Sequence, residues 1–186
     1  MVLLQLEIPM EINCLVAGYA RCAGVPVMLN SAPYAPLPED LLRNVTWLSP
    51  NEHEAALLTG MPVDADSAEQ ALRCMRDLGV ENALITLGSR GAACLENDGK
   101  FVFGPAVKGL HIQDPTAAGD SFVGAFCVGL CSGLPVEAAL RLANYTAGLT
   151  CCTMGAQSSL PTRAQVLELM RKHHADTAAI AHALAK

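Results

Sequence analysis

Short apolar runs alternate along this chain with stretches of helical periodicity, and turn residues separate them. Residues 2–6 predict a short strand that begins abruptly. Ile12, Leu15, Val16 and Tyr19 recur at helical spacing, so 11–22 predict a helix, with Gly24 just past its end. A second buried strand is predicted over 25–29, a Pro-rich loop over 30–38 and a short third strand over 46–49. Residues 51–59 predict a helix closed by Gly60. Another helix, 67–78, opens on the capping box Ser67-Ala68-Glu69-Gln70. A fourth strand, 83–87, follows. Residues 92–96 and 100–103 then flank Asn97-Asp98-Gly99, a hairpin signal. Residues 121–131 are nearly all apolar or small and predict a central buried helix. Pro135 suits the first position of a helix that runs to Thr150. Thr162 with Gln165 caps the next helix. The tail from Asp176 is Ala-rich and reads as a frayed surface helix.

Strand, helix and strand in succession with short connections define βαβ units, hence an α/β fold with a mostly parallel sheet and helices on both faces. Ligands then gather at the carboxyl ends of the strands. The simplest organisation is one domain over 1–175, with 176–186 as a tail. A net charge of −6 on 186 residues argues against a nucleic-acid or anionic-membrane surface. No apolar run reaches membrane-spanning length, and Glu7 and Pro9 break the opening segment before it can act as a signal peptide. The eight cysteines form no CxxC pair and lie mostly in apolar contexts, so they read as reduced core thiols of a cytoplasmic protein.

The densest chemistry lies in Asp114-Pro115-Thr116-Ala117-Ala118-Gly119-Asp120-Ser121-Phe122. Small residues form a tight turn between two acids and lead straight into a helix. Glycine at a helix mouth lets backbone N–H groups approach an anion, and the helix dipole favours that anion. Asp120 in the first turn is placed to take a proton from a hydroxyl attacking a phosphoryl group. Local chemistry alone also admits an ordinary helix N-terminus with an acidic first turn. The same duality holds elsewhere. Thr86-Leu87-Gly88-Ser89-Arg90-Gly91 is either a strand-end turn or a phosphate contact. Asn51-Glu52-His53-Glu54 is by itself a capping box. Glu7, just past a strand end, is either a plain exposed acid or a ligand contact. His53 reads as exposed, His111 as structural, His173 and His174 as dipole-compatible helix-end residues, and Trp47 as core.

Taken together, these motifs resemble the ribokinase-like (PfkB) sugar and nucleoside kinases. That family's signature reads Asp-Thr-x-Gly/Ala-Ala-Gly-Asp-x-Phe, with Pro a known variant at the second place. The resemblance implies a three-layer α/β/α fold with a mostly parallel sheet. It makes Asp120 the catalytic base and Ala117, Ala118 and Gly119 the anion hole. Thr86, Leu87, Gly88, Ser89, Arg90 and Gly91 become nucleotide contacts, with Asn144 facing the adenine. Asn51 and Glu54 support the phosphates and, indirectly, Mg²⁺. Asp114, Thr116, Thr150, Thr153, Gly155 and Ser159 form a K⁺ site, several of them through carbonyls. Glu7 and Asp120 contact the sugar. The implied reaction is transfer of the γ-phosphoryl group of ATP to a sugar primary hydroxyl, D-ribose O5 foremost. The alternatives are a kinase for fructose or a nucleoside, or a nucleotide-binding remnant. Family members begin with further strands, a Gly-Gly-Lys-x-x-Asn sugar motif and a β-sheet lid that often makes a homodimer. None of these is visible in this sequence. The expectation is therefore a C-terminal portion (a truncated gene model, a fragment or an isoform) with an exposed apolar edge.

Overall fold

The computed structural model describes residues 1–185 and divides into two compact units, Met1–Phe103 and the described residues from Gly104 onward. Lys186, the end of the expected tail, lies outside the described residues.

The first unit is built on one sheet. Strand β1 (Val2–Gln5) leads to α1 (Met10–Cys22), β2 (Val27–Asn30), the short α2 (Glu39–Leu42) and β3 (Trp47–Leu48). Then come α3 (Glu52–Thr59), α4 (Ala68–Asp77), β4 (Asn82–Thr86), β5 (Gly91–Leu95) and β6 (Phe101–Pro105). The six strands follow sequence order across the sheet. The first four run parallel, and β5 returns antiparallel to β4. The sheet is thus mostly parallel, as expected. Leu29, Leu48, Ala83 and Ile85 pack into one core with helix residues Ala17, Leu41, Ala55 and Leu72. Met28, Trp47, Leu84 and Cys94 alternate with them onto the opposite face and are buried too. This explains why β2–β5 read as continuous apolar runs and not as alternating ones.

The structure corrects two expectations for helices of this unit, the face of α1 and the cap of α4. Helix α1 exists, but of the four apolar residues at helical spacing only Val16 packs against the core. Ile12, Leu15 and Tyr19 are 41%, 52% and 70% exposed, while Asn13, Ala17 and Ala20 are buried. Small side chains allow the helix to lie close on the sheet. Asn13 fixes it there by donating from Nδ2 to the Gln5 carbonyl at 3.1 Å. Ser67, in turn, does not cap α4. Its Oγ bonds Asp64 Oδ1 at 2.9 Å, and Asp64 Oδ1 also accepts from the Asp66 and Ser67 amides. An Asx-type turn on Asp64 therefore outcompetes the capping box. Helix α3 does have its box, and Gly60 ends it in the left-handed region at φ 71°.

In the second unit the helices are α5 (Ala118–Cys131), α6 (Val136–Thr150), α7 (Arg163–Lys172) and α8 (Ala178–Ala183). Helix α5 starts at Ala118, three residues before the expected start at Ser121. It is not wholly buried: Phe122, Val123 and Phe126 face inward, whereas Val128 and Cys131 are exposed. The Phe122 and Phe126 rings stack with centroids 6.4 Å apart. Gly129 allows α5 to touch α6, since a Cβ there would lie 2.9 Å from Ala139 Cβ. Pro135 is the N-cap of α6 and not its first residue. The Thr162–Gln165 capping box of α7 is present. The tail is not frayed, because Ile180 of α8 is buried and Arg163 bonds the Leu184 carbonyl.

All eight cysteines are free. Only Cys94 and Cys127 are buried, while Cys22 and Cys131 are exposed, so they are not a set of core thiols. Burial pushes the Cys127 thiol up to about 12, with Cys131 adding to the effect.

Candidate functional site

In the first unit, the chemistry-bearing residues sit at the carboxyl end of the parallel strands. Asn51 and Thr86 form an isolated parallel bridge, and Thr86 N donates to the Pro50 carbonyl at 3.1 Å. The start of α3 is thereby stitched to the end of β4, and two of the expected nucleotide motifs become neighbours. From Gly88 to Arg90 the chain makes one 3₁₀ turn, closed by Leu87 N donating to the Gly91 carbonyl at 2.8 Å. Gly88 and Gly91 have φ of 54° and 111°, conformations that glycine adopts without strain. Ser89 and Arg90 are exposed, whereas Leu87 is buried and can offer only backbone.

Asn51 Oδ1 accepts from the His53 and Glu54 amides, both at 2.9 Å, and Glu54 Oε2 accepts from Asn51 N at 2.9 Å. The capping box therefore occupies the Asn51 carbonyl oxygen and one Glu54 oxygen. Glu54 is buried, and no cluster of three His, Cys, Asp or Glu side chains exists among the described residues. This arrangement suits a carboxylate that acts on a hydrated Mg²⁺ through water, not one that ligates it directly. Glu52, which the sequence singled out for no role, also reaches the Gly88 turn. Both its carboxylate oxygens lie 3.8 Å from where a Cβ on Gly88 would stand. Its position beside Asn51 was the available signal. Glu7 is exposed beyond β1, and His53 and His111 are exposed as well; for His111 this replaces the structural role expected.

In the second unit, the loop before α5 is held from two sides. Asp114 Oδ1 accepts from Thr116 N and Asp114 Oδ2 from Gly155 N, both at 2.9 Å. The Gly155 amide, followed by Thr116, keeps the Asp114 carboxyl below the usual carboxylate value. The Cys151 carbonyl accepts from Gln113 N at 2.8 Å and from Asp114 N at 3.2 Å. The carboxylate of Asp114 thus serves as a tether between two loops, which leaves backbone carbonyls as the oxygen donors for a cation. Thr153 is exposed; Ser159 is buried, with Oγ donating to the Ala156 carbonyl at 3.1 Å. Gly155 has φ 98°. These are hard oxygen donors of the kind K⁺ accepts.

Ala117 caps α5 with φ 60°, a left-handed conformation that costs an alanine energy. It turns the chain so that the first amides of α5 point out of the helix end. Ala118 N is already engaged with the Pro115 carbonyl at 3.1 Å. The Gly119 amide has no acceptor among the described residues, and a Cβ at Gly119 would meet nothing within 4 Å. The accessible anion donors are therefore fewer than the three expected. Asp120 is exposed in the same first turn. Asn144 is buried on α6, its Nδ2 committed to the Gly104 carbonyl at 3.0 Å.

The first unit thus holds a mostly parallel α/β sheet, and the second holds a helix mouth with an unengaged Gly119 amide and an acid in its first turn. Residues 2–163 match the pfkB family of carbohydrate kinases, and the chain belongs to that family. Ribokinase from Arabidopsis thaliana is 40% identical over 172 residues, covering 91% of this chain and 45% of its own length. Ribokinase from Haemophilus influenzae is 39% identical, covering 90% of this chain and 55% of its own length. The structure of Arabidopsis ribokinase complexed with ribose and ATP superposes with a TM-score of 0.88 at 38% identity, covering 91% of this chain and 55% of that one. The fold is thus the ribokinase-like α/β fold. The chain spans about half the length of the curated relatives it matches.

Proposed function

We propose that this protein transfers the γ-phosphoryl group of ATP to a primary hydroxyl of a sugar, with D-ribose the foremost substrate and ribose 5-phosphate the product. The observation that carries the reading is the mouth of α5. A Gly119 amide without an acceptor among the described residues, open space where a Gly119 Cβ would stand and Asp120 in the same turn combine an anion donor with a base. Asp120 takes the proton of the attacking hydroxyl. The amides of Ala117 and Gly119, with Ala118 beside them, stabilise charge on the transferred group. The turn Thr86–Gly91 holds the nucleotide, with Leu87 contributing backbone only, and Asn144 supports the adenine side. Glu7 contacts the sugar.

Mg²⁺, held through water near Asn51 and Glu54, supplies neutralisation of phosphate charge. K⁺, held by oxygens of Asp114, Thr116, Thr150, Thr153, Gly155 and Ser159, supplies order to the anion turn. Free thiols fit a reducing cytoplasmic setting. Among the described residues no helix is long and apolar enough to cross a membrane.

A second reading is a chain that binds nucleotide with little turnover, or that pairs with another subunit. The exposed stripe Ile12, Leu15 and Tyr19 on α1 favours it. Similar proteins include the deoxyribokinase of Salmonella typhi, 33% identical over 172 residues, so sugar choice must be tested directly. Coupled assays with ribose, deoxyribose, fructose and a nucleoside, each with ATP, Mg²⁺ and K⁺, decide among these. The proposal predicts the highest kcat/KM for ribose. Nucleotide binding with no phosphorylated product would favour the second reading.

A further inference from the structure

We propose that the buried hydroxyl pair Ser121 and Thr150 is a positioning device that ties the loop after α6 to the catalytic turn of α5. The inference rests on the phosphotransfer reading of that turn, but its test does not require turnover. Thr150 is fully buried at the last residue of α6, and Ser121 is buried one residue after Asp120. Thr150 Oγ1 lies 3.0 Å from Ser121 Oγ and 2.9 Å from the Thr146 carbonyl. Ser121 Oγ lies 3.0 Å from the Ala118 carbonyl.

Each hydroxyl has one proton to give. The Ala118 carbonyl can only accept, so the Ser121 proton goes there. Ser121 Oγ is then an acceptor for Thr150, whose proton it shares with the Thr146 carbonyl. The bonds run in one direction, from Thr150 through Ser121 to the first residue of α5. Two residues beyond that carbonyl is Asp120.

At its other end, Thr150 is wired into the loop. Its carbonyl accepts from Thr153 N at 3.2 Å, the next carbonyl (Cys151) accepts from Gln113 and Asp114, and Asp114 accepts from Gly155. Any shift of 150–155 is therefore felt at the Ala118 carbonyl through two side chains. Packing alone does not demand this. A valine would fill the place of Thr150 with nearly the same shape, and buried hydroxyls stabilise only when bonded. The pair lies against the turn that carries the base, and so it fits a positioning role and not a filling one.

The test is amide hydrogen exchange of 117–122 in the purified wild-type protein, Thr150→Val and Thr150→Ser, each in KCl and in LiCl. Thr150→Val is expected to exchange roughly five-fold faster over 117–122, the factor that one hydrogen bond provides. Exchange in 163–172 is expected to stay unchanged. Thr150→Ser, which keeps the hydroxyl, is expected to match wild type. K⁺ is expected to slow exchange of 117–122 in wild type and Thr150→Ser but not in Thr150→Val. Wild-type exchange over 117–122 in Thr150→Val would overturn the proposal. Should Thr150→Val fail to fold, Ser121→Ala serves as the second variant with the same expected acceleration. Absence of any K⁺ effect in wild type would count against the cation site proposed above, while the Val and Ser comparison in a single salt still decides the role of the pair.

Discussion

Gly155 donates its backbone N–H to Asp114 Oδ2 at 2.9 Å, joining the loop after α6 to the loop before α5. The same carboxylate holds Thr116 N with its other oxygen. One ionised side chain thus sets the backbone on both sides of the candidate cation site. Because the carboxyl is held below its ordinary value near 3.8 in the folded protein, its contribution is fully present above that value. It is lost as pH falls through the lower folded value. Amide exchange at Gly155 and Thr116 should accelerate over that acid range in the wild type. In Asp114→Asn it should be fast at neutral pH and show no such acid step, because one amide oxygen cannot replace two carboxylate oxygens. The K⁺ requirement should rise by roughly ten-fold, as when a group that orients ligands is lost. Identical acid profiles for the two proteins would refute the tether.

Ala117 stores strain in the left-handed region at φ 60°. Ala117→Gly should raise stability by about 0.5–1 kcal/mol in urea denaturation, the relief outweighing the added freedom of the unfolded chain. A loss of stability would mean that the alanine methyl has a packing role not evident from the turn.

Two glycines in α5 should answer oppositely to the same change. At Gly129 a new Cβ meets Ala139 Cβ at 2.9 Å and Cα at 3.0 Å, and the Cα cannot move without shifting α6. Gly129→Ala should cost about 1–3 kcal/mol. At Gly124 nothing lies within 4 Å. Gly124→Ala should gain about 0.5–1 kcal/mol from helix propensity. Thermal melts of the two variants side by side check the α5–α6 packing directly.

Asn51 combines a cap with a proposed phosphate-side role, and two substitutions separate them. Asn51→Ala removes the bonds to the His53 and Glu54 amides and should cost about 1 kcal/mol. Asn51→Asp keeps an accepting oxygen and should hold its melting temperature, yet it places a negative charge beside the nucleotide turn. If ATP affinity falls in Asn51→Asp at unchanged stability, the residue serves the nucleotide as well as the helix.

Where sequence and structure part, the reasons are local. Parallel strands β2–β4 were legible because apolar runs bounded by turn residues have few other solutions. The Asn51 and Thr162 capping boxes were legible because both partners lie within one turn. The face of α1 was not. Periodicity reports where the large apolar residues lie, but close packing on the sheet selected Asn13, Ala17 and Ala20 instead. Ser67 was misread because Asp64, three residues upstream, competes for the same hydroxyl. In the candidate site, the motif residues and the tight turn of small residues were readable, whereas the left-handed conformation of Ala117 was not. The Asp114–Gly155 and Ser121–Thr150 links were not, since both join positions far apart in the chain.

The proposed phosphotransfer depends on Asp120. The decisive measurement is ATP-dependent formation of ribose 5-phosphate by the purified protein and by Asp120→Asn, with nucleotide affinity measured on both. Loss of a well-placed general base predicts a fall in kcat of about 10²–10⁴ with nucleotide affinity within a few-fold of wild type. Turnover in Asp120→Asn equal to that of the wild type would contradict the assignment of the base and, with it, the reading of the α5 mouth as the phosphotransfer site.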